Sequence, residues 1–259
     1  MVAGIVGVVL SMTLIPDDLQ DWGWRIAFAL GMILVPVAFY LRRYLPETLP
    51  KITDSAAKLP QAQLRHYTKE LVLAILVTAG GAVSTYVALF MTSFAIATLK
   101  MPATISLSAT IIVGVAIFSF SLVGGWLSDK YGRRNVIFVS RILLILVSIP
   151  AFMWLINAKT PEVLFIVAFT ISALSTLSSA PLLVAVLELF PIRVRALGLS
   201  IAYAVGVSIF GGTTQFIITW LLKSTESLYS PAWYMMATSL VTLIAAYYLP
   251  DLRNRALDD

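Results

Sequence analysis

Eight stretches of this chain, 1–15, 22–45, 70–95, 104–127, 135–157, 161–189, 196–222 and 230–250, are almost wholly apolar. All but the first are long enough to cross a bilayer as a helix. Hydrocarbon offers no hydrogen bonds, so a spanning backbone must satisfy itself, either as a helix or in a closed barrel. A barrel strand alternates apolar and polar residues, and these runs do not. The expectation is an all-α, polytopic membrane bundle of about eight transmembrane helices. Composition agrees: 59% of residues are hydrophobic, mean hydropathy is +0.92, and 12% are charged, about half the share of a soluble domain. A soluble fold would have to bury nearly every helix on all its faces.

The basic residues give the orientation. Arg42, Arg43, Lys51, Lys58, Arg65, Lys69, Lys130, Arg133, Arg134, Arg193, Arg195, Arg253 and Arg255 lie in one set of loops. Only Arg25, Lys100, Lys159 and Lys223 lie in the other. The first set is expected in the cytoplasm, and with it both termini. The net charge of +5 is thus topological and does not mark a nucleic-acid face. Met1–Ile15 has no basic start and runs into Pro16-Asp17-Asp18 instead of a small-residue cleavage site. It reads as part of a membrane helix, with the chain beginning inside that helix. The polar stretch 46–69, with Pro46, Pro50 and Pro60, is the one candidate linker. Without cysteine, thiolate chemistry and disulfides are excluded. The single histidine, His66, falls in a polar loop. No phosphate-binding glycine loop, metal-ligand cluster or membrane-depth carboxylate pair is present. Neither an enzyme nor a cofactor is expected, and a membrane enzyme is the least favoured of the rival readings.

The loop between 104–127 and 135–157 carries the most specific pattern: Gly124-Gly125-Trp126-Leu127-Ser128-Asp129-Lys130-Tyr131-Gly132-Arg133-Arg134. The glycine pair predicts close helix approach, and Asp129 sits beside three cations. This closely resembles the G-x-x-x-D-x-x-G-R-R/K signature of the major facilitator superfamily of secondary transporters. A second loop, from Glu188 through Pro191, Arg193 and Arg195 to Gly198, resembles the E-x-x-P-x-x-x-R-x-x-G element after that family's tenth helix. Trp22-Gly23-Trp24-Arg25, followed by Arg42-Arg43-Tyr44-Leu45-Pro46-Glu47-Thr48, is similar to the sixth-helix region of the metabolite:proton symporter branch. That branch includes carriers of proline and betaine, citrate, 2-oxoglutarate and shikimate. Leu199-Ser200-Ile201-Ala202-Tyr203 with Phe210-Gly211-Gly212 is similar to the eleventh helix of its citrate and 2-oxoglutarate members. Ala27 stands where the branch often has proline.

The resemblance implies helices five to twelve of a twelve-helix fold, with helices one to four missing. Residues 1–45 would be the last two helices of the N-terminal bundle, 46–69 a cytoplasmic interbundle loop, and 70–259 the complete C-terminal six-helix bundle. It implies proton-coupled symport of a small polar metabolite, an organic acid or a zwitterion, by alternating access. The expected setting is a bacterial-type inner membrane. The expected partners are the substrate, protons, bilayer lipid and the missing helices. It implies a cytoplasmic gate or latch formed by Gly124, Gly125, Asp129, Gly132, Arg133, Arg134, Glu188, Arg193 and Arg195. The two carboxylates would meet guanidinium groups, and Asp129 could face the N-terminus of the 196–222 helix. The rival reading is a truncated, non-transporting membrane remnant or interaction protein.

At 100° per residue, Gly81, Ser84, Thr85, Ala88 and Thr92 share one face of 70–95. Ser172, Ser175, Thr176 and Ser179 share one face of 161–189, and Ser200, Ala204, Ser208, Gly211, Gln215 and Thr219 one face of 196–222. Small and hydroxyl residues in membranes serve close helix packing as readily as a cavity. The family assigns the first two helices to the central cavity, which makes Ser84, Thr85, Thr92, Ser172, Ser175, Thr176 and Ser179 candidate lining residues. Gln215 joins them because an amide in lipid needs a partner. Arg141, about two turns into its helix, reads either as a functional cation that an anionic substrate would welcome or, as the preferred reading on a helix the family places at the periphery, as a structural residue able to snorkel to the cytoplasmic face. Arg25 is expected to anchor a helix end beside Trp22 and Trp24. Pro181 reads either as a tolerated membrane proline or as a gating bend. No proton-coupling acid is visible in these helices.

Overall fold

The computed structural model describes residues 2–44 and 65–249, without the side chains of Pro16, Gln20, Arg65 and Arg193. The expected interbundle loop therefore lies outside the described residues up to position 64, as does the C-terminal segment 250–259. Among the described residues all regular structure is helical. The principal helices are α1 (Val2–Thr13), α2 (Asp21–Tyr44), α3 (Thr68–Ala97), α4 (Ala103–Tyr131), α5 (Arg133–Ala158), α6 (Pro161–Glu188), α7 (Ile192–Tyr203, continued by Ala204–Gly211 and Gly212–Thr225) and α8 (Ser230–Tyr247). Six of them, α2 to α7, are long and apolar enough to cross a membrane. The other two expected segments form shorter helices: α1 has 12 residues and α8 has 18, with Ser230, Thr238, Ser239 and Thr242 among them.

The helix ends follow local chemistry. Pro161 and Pro231 sit in the first turns of α6 and α8, where the missing N–H would have had no helical partner. The α4–α5 turn is only as long as Gly132, whose φ of 92° and ψ of 146° lie where a side chain is strained. Helix α2 is broken at Met32–Ile33 by turn-type bonds, Met32 N–H to Ala29 O at 3.0 Å and Ile33 N–H to Leu30 O at 3.2 Å. Pro36, one turn on, clashes with the Met32 carbonyl and stops the helix from running straight through. Arg25 lies beside Trp24. Its guanidinium lies 4.9 Å from the Trp24 ring and donates to Asp21 O.

Helices α3 and α6 form the middle of the bundle. Of their apolar stretches 50% and 56% is buried, against 22% for α4 and none for α2. Around them α6 packs on α4 and α5, and α3 on α7 and α8. Helix α1 packs mainly on α4, with Gly4 against Thr110 and Ile111. Two apolar clusters occupy the two ends of the bundle. One gathers Phe94, Phe152, Leu155, Leu164, Ile171 and Met235, with Phe94 and Phe152 edge to face at 5.8 Å. The other gathers Ile137, Leu182, Phe190, Val194 and Ala246. Between them lies a polar layer of hydroxyls and one arginine. Large apolar residues such as Phe118, Leu122, Leu146 and Phe216 face outward. This is the pattern of a lipid-facing surface, where packing and internal hydrogen bonds hold helices together in place of water exclusion.

Candidate functional site

A cavity of about 510 Å³ opens between α3, α4, α6 and α7. Its wall takes Gly81, Thr85 and Tyr86 from α3, Ser121 from α4, Thr176, Ser179 and Leu182 from α6, and Tyr203 from α7. That volume suits a small metabolite. The wall is mostly apolar with a few hydroxyls, which is the usual make-up of a small-molecule site. Thr85, Thr176 and Ser179 thus stand together at the cavity.

The other candidate lining residues are placed elsewhere. Ser84, next to Thr85 in sequence but turned 100° away, donates to Gly80 O at 2.7 Å and faces Arg141. Thr92 pairs with Thr110 at 2.9 Å across α3 and α4. Ser172 bonds back to Ala168 O. Ser175 is buried with its hydroxyl unpartnered. Gln215 is exposed on the outside of α7. Its displacement has a physical cause. Residues Ala204–Gly211 are π-helical, and each i→i+5 turn adds about one residue per turn, so α-helical arithmetic carried from Ser200 to Gln215 loses register. The face of α7 that meets the cavity is Leu199, Tyr203 and Val207.

The α4–α5 turn and the end of α6 form the second candidate site. Arg133 is its hub. It pairs with Asp129 one helical turn back, reaches Glu188 at 3.3 Å and donates to Ser128 Oγ at 3.4 Å. The partners differ in kind. Asp129 is 73% exposed and belongs to the same turn, whereas Glu188 is 18% exposed and ends a different helix. An exposed pair contributes about 0–1 kcal/mol at most, so Arg133–Glu188 is the contact that ties α6 to the turn. Arg134 stacks over Tyr247 of α8 at 5.2 Å. Arg195 donates to Phe190 O at 3.1 Å. The Arg193 side chain lies outside the described residues. Asp129 meets Arg133 within its own turn.

The glycine pair divides. A side chain at Gly124 would lie 3.2 Å from Ala180 Cβ and 3.4 Å from Leu177 O, whereas one at Gly125 would meet open space. Gly124 therefore carries the close approach. The carbonyl it packs against is the one four residues before Pro181, which the proline deprives of its helical bond. Helix α6 nevertheless continues through Pro181 to Glu188.

Arg141 departs most from expectation. It does not snorkel; it is fully buried. Its Nε donates to Ser178 Oγ at 2.6 Å, and Nη1 donates to Gly80 O at 3.1 Å, Ser84 Oγ and Ser239 Oγ at 3.4 Å. Bonds to a charged group contribute about 1.5–3 kcal/mol each. Several together offset the roughly 2.5–3.5 kcal/mol of placing an arginine at mid-membrane on insertion scales. A signal for this was present in the sequence: three neighbouring helices each carry a serine at that depth.

Comparison with known proteins agrees with this architecture. The family model described as "Sugar (and other) transporter" matches residues 51–259. The citrate-proton symporter of Salmonella typhi is 31% identical over 261 residues, covering 96% of this chain and 58% of the relative. The alpha-ketoglutarate permease of Escherichia coli K12 is 32% identical over 256 residues, covering 96% and 58%. A putative proline/betaine transporter of Staphylococcus haemolyticus is 28% identical over 250 residues, covering 93% and 53%. The chain thus spans between 53% and 58% of the length of these relatives. Its family is one of transporters and not of enzymes. This multi-pass membrane chain belongs to the sugar (and other) transporter family of the major facilitator superfamily.

Proposed function

We propose that this chain forms part of a secondary active carrier that moves a small polar metabolite, an organic acid or a zwitterion, together with protons. The observation that carries the reading is the cavity between α3, α4, α6 and α7 with Thr85, Thr176 and Ser179 at its wall. In this reading residues 70–259 are one bundle and 1–45 contribute two helices of the other. The cavity faces the space between bundles, and rocking of the bundles exposes it to one side at a time. The Asp129–Arg133–Glu188 cluster acts at the cytoplasmic mouth, where its contacts hold three helix ends together. Four further helices complete the second wall. The carrier sits in a bacterial inner membrane with the 46–69 loop and C-terminus in the cytoplasm. Reporter fusions after Pro60 and after Asp259 test this orientation: both give a cytoplasmic signal, and a periplasmic signal at either overturns it.

Uptake into proteoliposomes with an imposed proton gradient tests the function. Citrate, 2-oxoglutarate, proline and betaine are the solutes offered. This chain alone gives no saturable uptake; supplied with the first four helices of a relative as a separate polypeptide, it gives gradient-dependent uptake. The rival reading, a non-transporting membrane or interaction protein, draws on α2, which has no buried residue over Trp24–Gly31 or Leu34–Tyr44. It is favoured if the added helices restore nothing.

A further inference from the structure

We propose that Arg141 is the carboxylate-recognising group of the cavity, reached past the side chain of Leu182 beside Gly81. This rests on the carrier reading above and names the chemistry of its cargo. The starting point is an unused donor. Arg141 directs Nε and Nη1 to three serines and one carbonyl, but its Nη2 is buried without a hydrogen-bond partner. All four acceptors are neutral, and the described ion pairs are those of Arg133. A guanidinium keeps its charge in a protein. Hydroxyl dipoles orient around it without cancelling it, so one positive charge and one empty donor remain at membrane depth. A role as helix glue accounts for the bonded nitrogens and leaves Nη2 without a purpose.

Nη2 is also close to the cavity. It lies 3.7 Å from where a Gly81 side chain would begin, and Ser179 Cβ is 3.7 Å from the same point. Gly81, Ser179 and Leu182 all line the cavity. The Leu182 Cδ1 methyl, 3.0 Å from that point, fills the gap. A leucine methyl moves by a rotamer change, whereas a backbone wall would not. With no side chain at Gly81, displacing that methyl opens a path to Nη2. A carboxylate there accepts an N–H bond from a cation, the strong, charge-assisted kind. Ser179 Oγ, now bonded to Ser175 O at 2.9 Å, can turn to give it a second donor. A neutral sugar brings no charge to match and gains little by displacing Leu182.

The natural chain has no cysteine, so Ser121→Cys, on the α4 side of the cavity, gives a single thiol reporter. The full chain in lipid nanodiscs is labelled with a maleimide while citrate, 2-oxoglutarate or glucose is titrated. Both carboxylates slow labelling and glucose does not. Adding Arg141→Gln weakens the apparent affinity about tenfold, the loss of one hydrogen bond to a charged group, and Arg141→Lys recovers part of it. If Arg141→Gln does not insert, Leu182→Ala remains informative: it strengthens protection by the carboxylates, because nothing then needs displacing. Protection unchanged by both Arg141→Gln and Leu182→Ala overturns the proposal, as does glucose protecting as well as citrate, or no protection by either carboxylate. The two readings fail separately. Arg141-dependent protection without any uptake in the completed carrier keeps this inference and sinks the transport reading; uptake without it does the reverse.

Discussion

Arg133 and Arg141 lie about two turns apart on α5 and hold their charges in opposite ways. Arg133, at the membrane boundary, meets two carboxylates, one of them open to solvent. Arg141, at the polar layer between the two apolar clusters, meets three serine hydroxyls and a backbone carbonyl. The difference follows from what each depth allows. At the boundary a carboxylate keeps part of its hydration, so pairing costs little and contributes little. At depth a carboxylate would need full desolvation, and small hydroxyls solvate the cation without a second charge. The first arrangement suits contacts that form and break with helix movement. The second suits a fixed charge with capacity left for a ligand.

Truncation is the harshest way to break this comparison. Arg141→Ala removes a fully buried side chain and leaves Ser84, Ser178 and Ser239 facing a void. The expected loss is about 2–5 kcal/mol, the range for large-to-Ala changes in packed interiors. Arg133→Ala is expected to cost about 1 kcal/mol or less, in keeping with a pair at a partly exposed edge. Reversible unfolding in mixed micelles measures both. Equal losses would erase the distinction between the two sites.

The glycine pair offers the same contrast in miniature. Gly124→Leu must push against Leu177 backbone and Ala180, an overpacking cost of about 1–3 kcal/mol. Gly125→Ala enters open space and gains up to about 1 kcal/mol of helix propensity. Unfolding of the two variants, with insertion level as a control, decides it. A destabilised Gly125→Ala would mean that another surface covers that face.

What the sequence disclosed differs with the kind of signal. Long apolar runs announced the helices because hydrocarbon leaves the backbone no alternative. The turn between α4 and α5 was legible because Gly132 is needed locally, for its φ of 92°. The faces of α3 and α6 were half legible. Thr85, Thr176 and Ser179 line the cavity, but Ser84 and Ser175, one or four residues away, turn into the bundle. A 100° step cannot say which of two buried neighbours faces a void and which faces a helix. The α7 face was not legible past Ala204, because nothing in the residue types marks the π-helical stretch that shifts its register. For Arg141 the snorkelling expectation failed because its solvation comes from three other helices: the serines at that depth are visible in the sequence, but only the packing brings Ser84, Ser178 and Ser239 to one point.

The smallest expected effect separates the two carboxylates of the boundary site. Glu188 sits at the end of α6, is 18% exposed, and meets Arg133 across helices. Asp129 is 73% exposed and meets it within one turn. Coulomb attraction falls with hydration, so the partly buried pair keeps more of it, and it also constrains two helices where the other constrains one. Glu188→Gln is therefore expected to lower stability by about 0.5–1 kcal/mol and Asp129→Asn by only about 0.2 kcal/mol, both within the range of edge pairs. Raising salt to 1 M, where the Debye length is about 3 Å, should erase most of the Asp129 effect and less of the Glu188 effect. The reverse order would place the stronger contact in the turn itself. The cluster would then stiffen a loop and leave α6 untied, and a gate built on it would have nothing to release at the far side of the cavity.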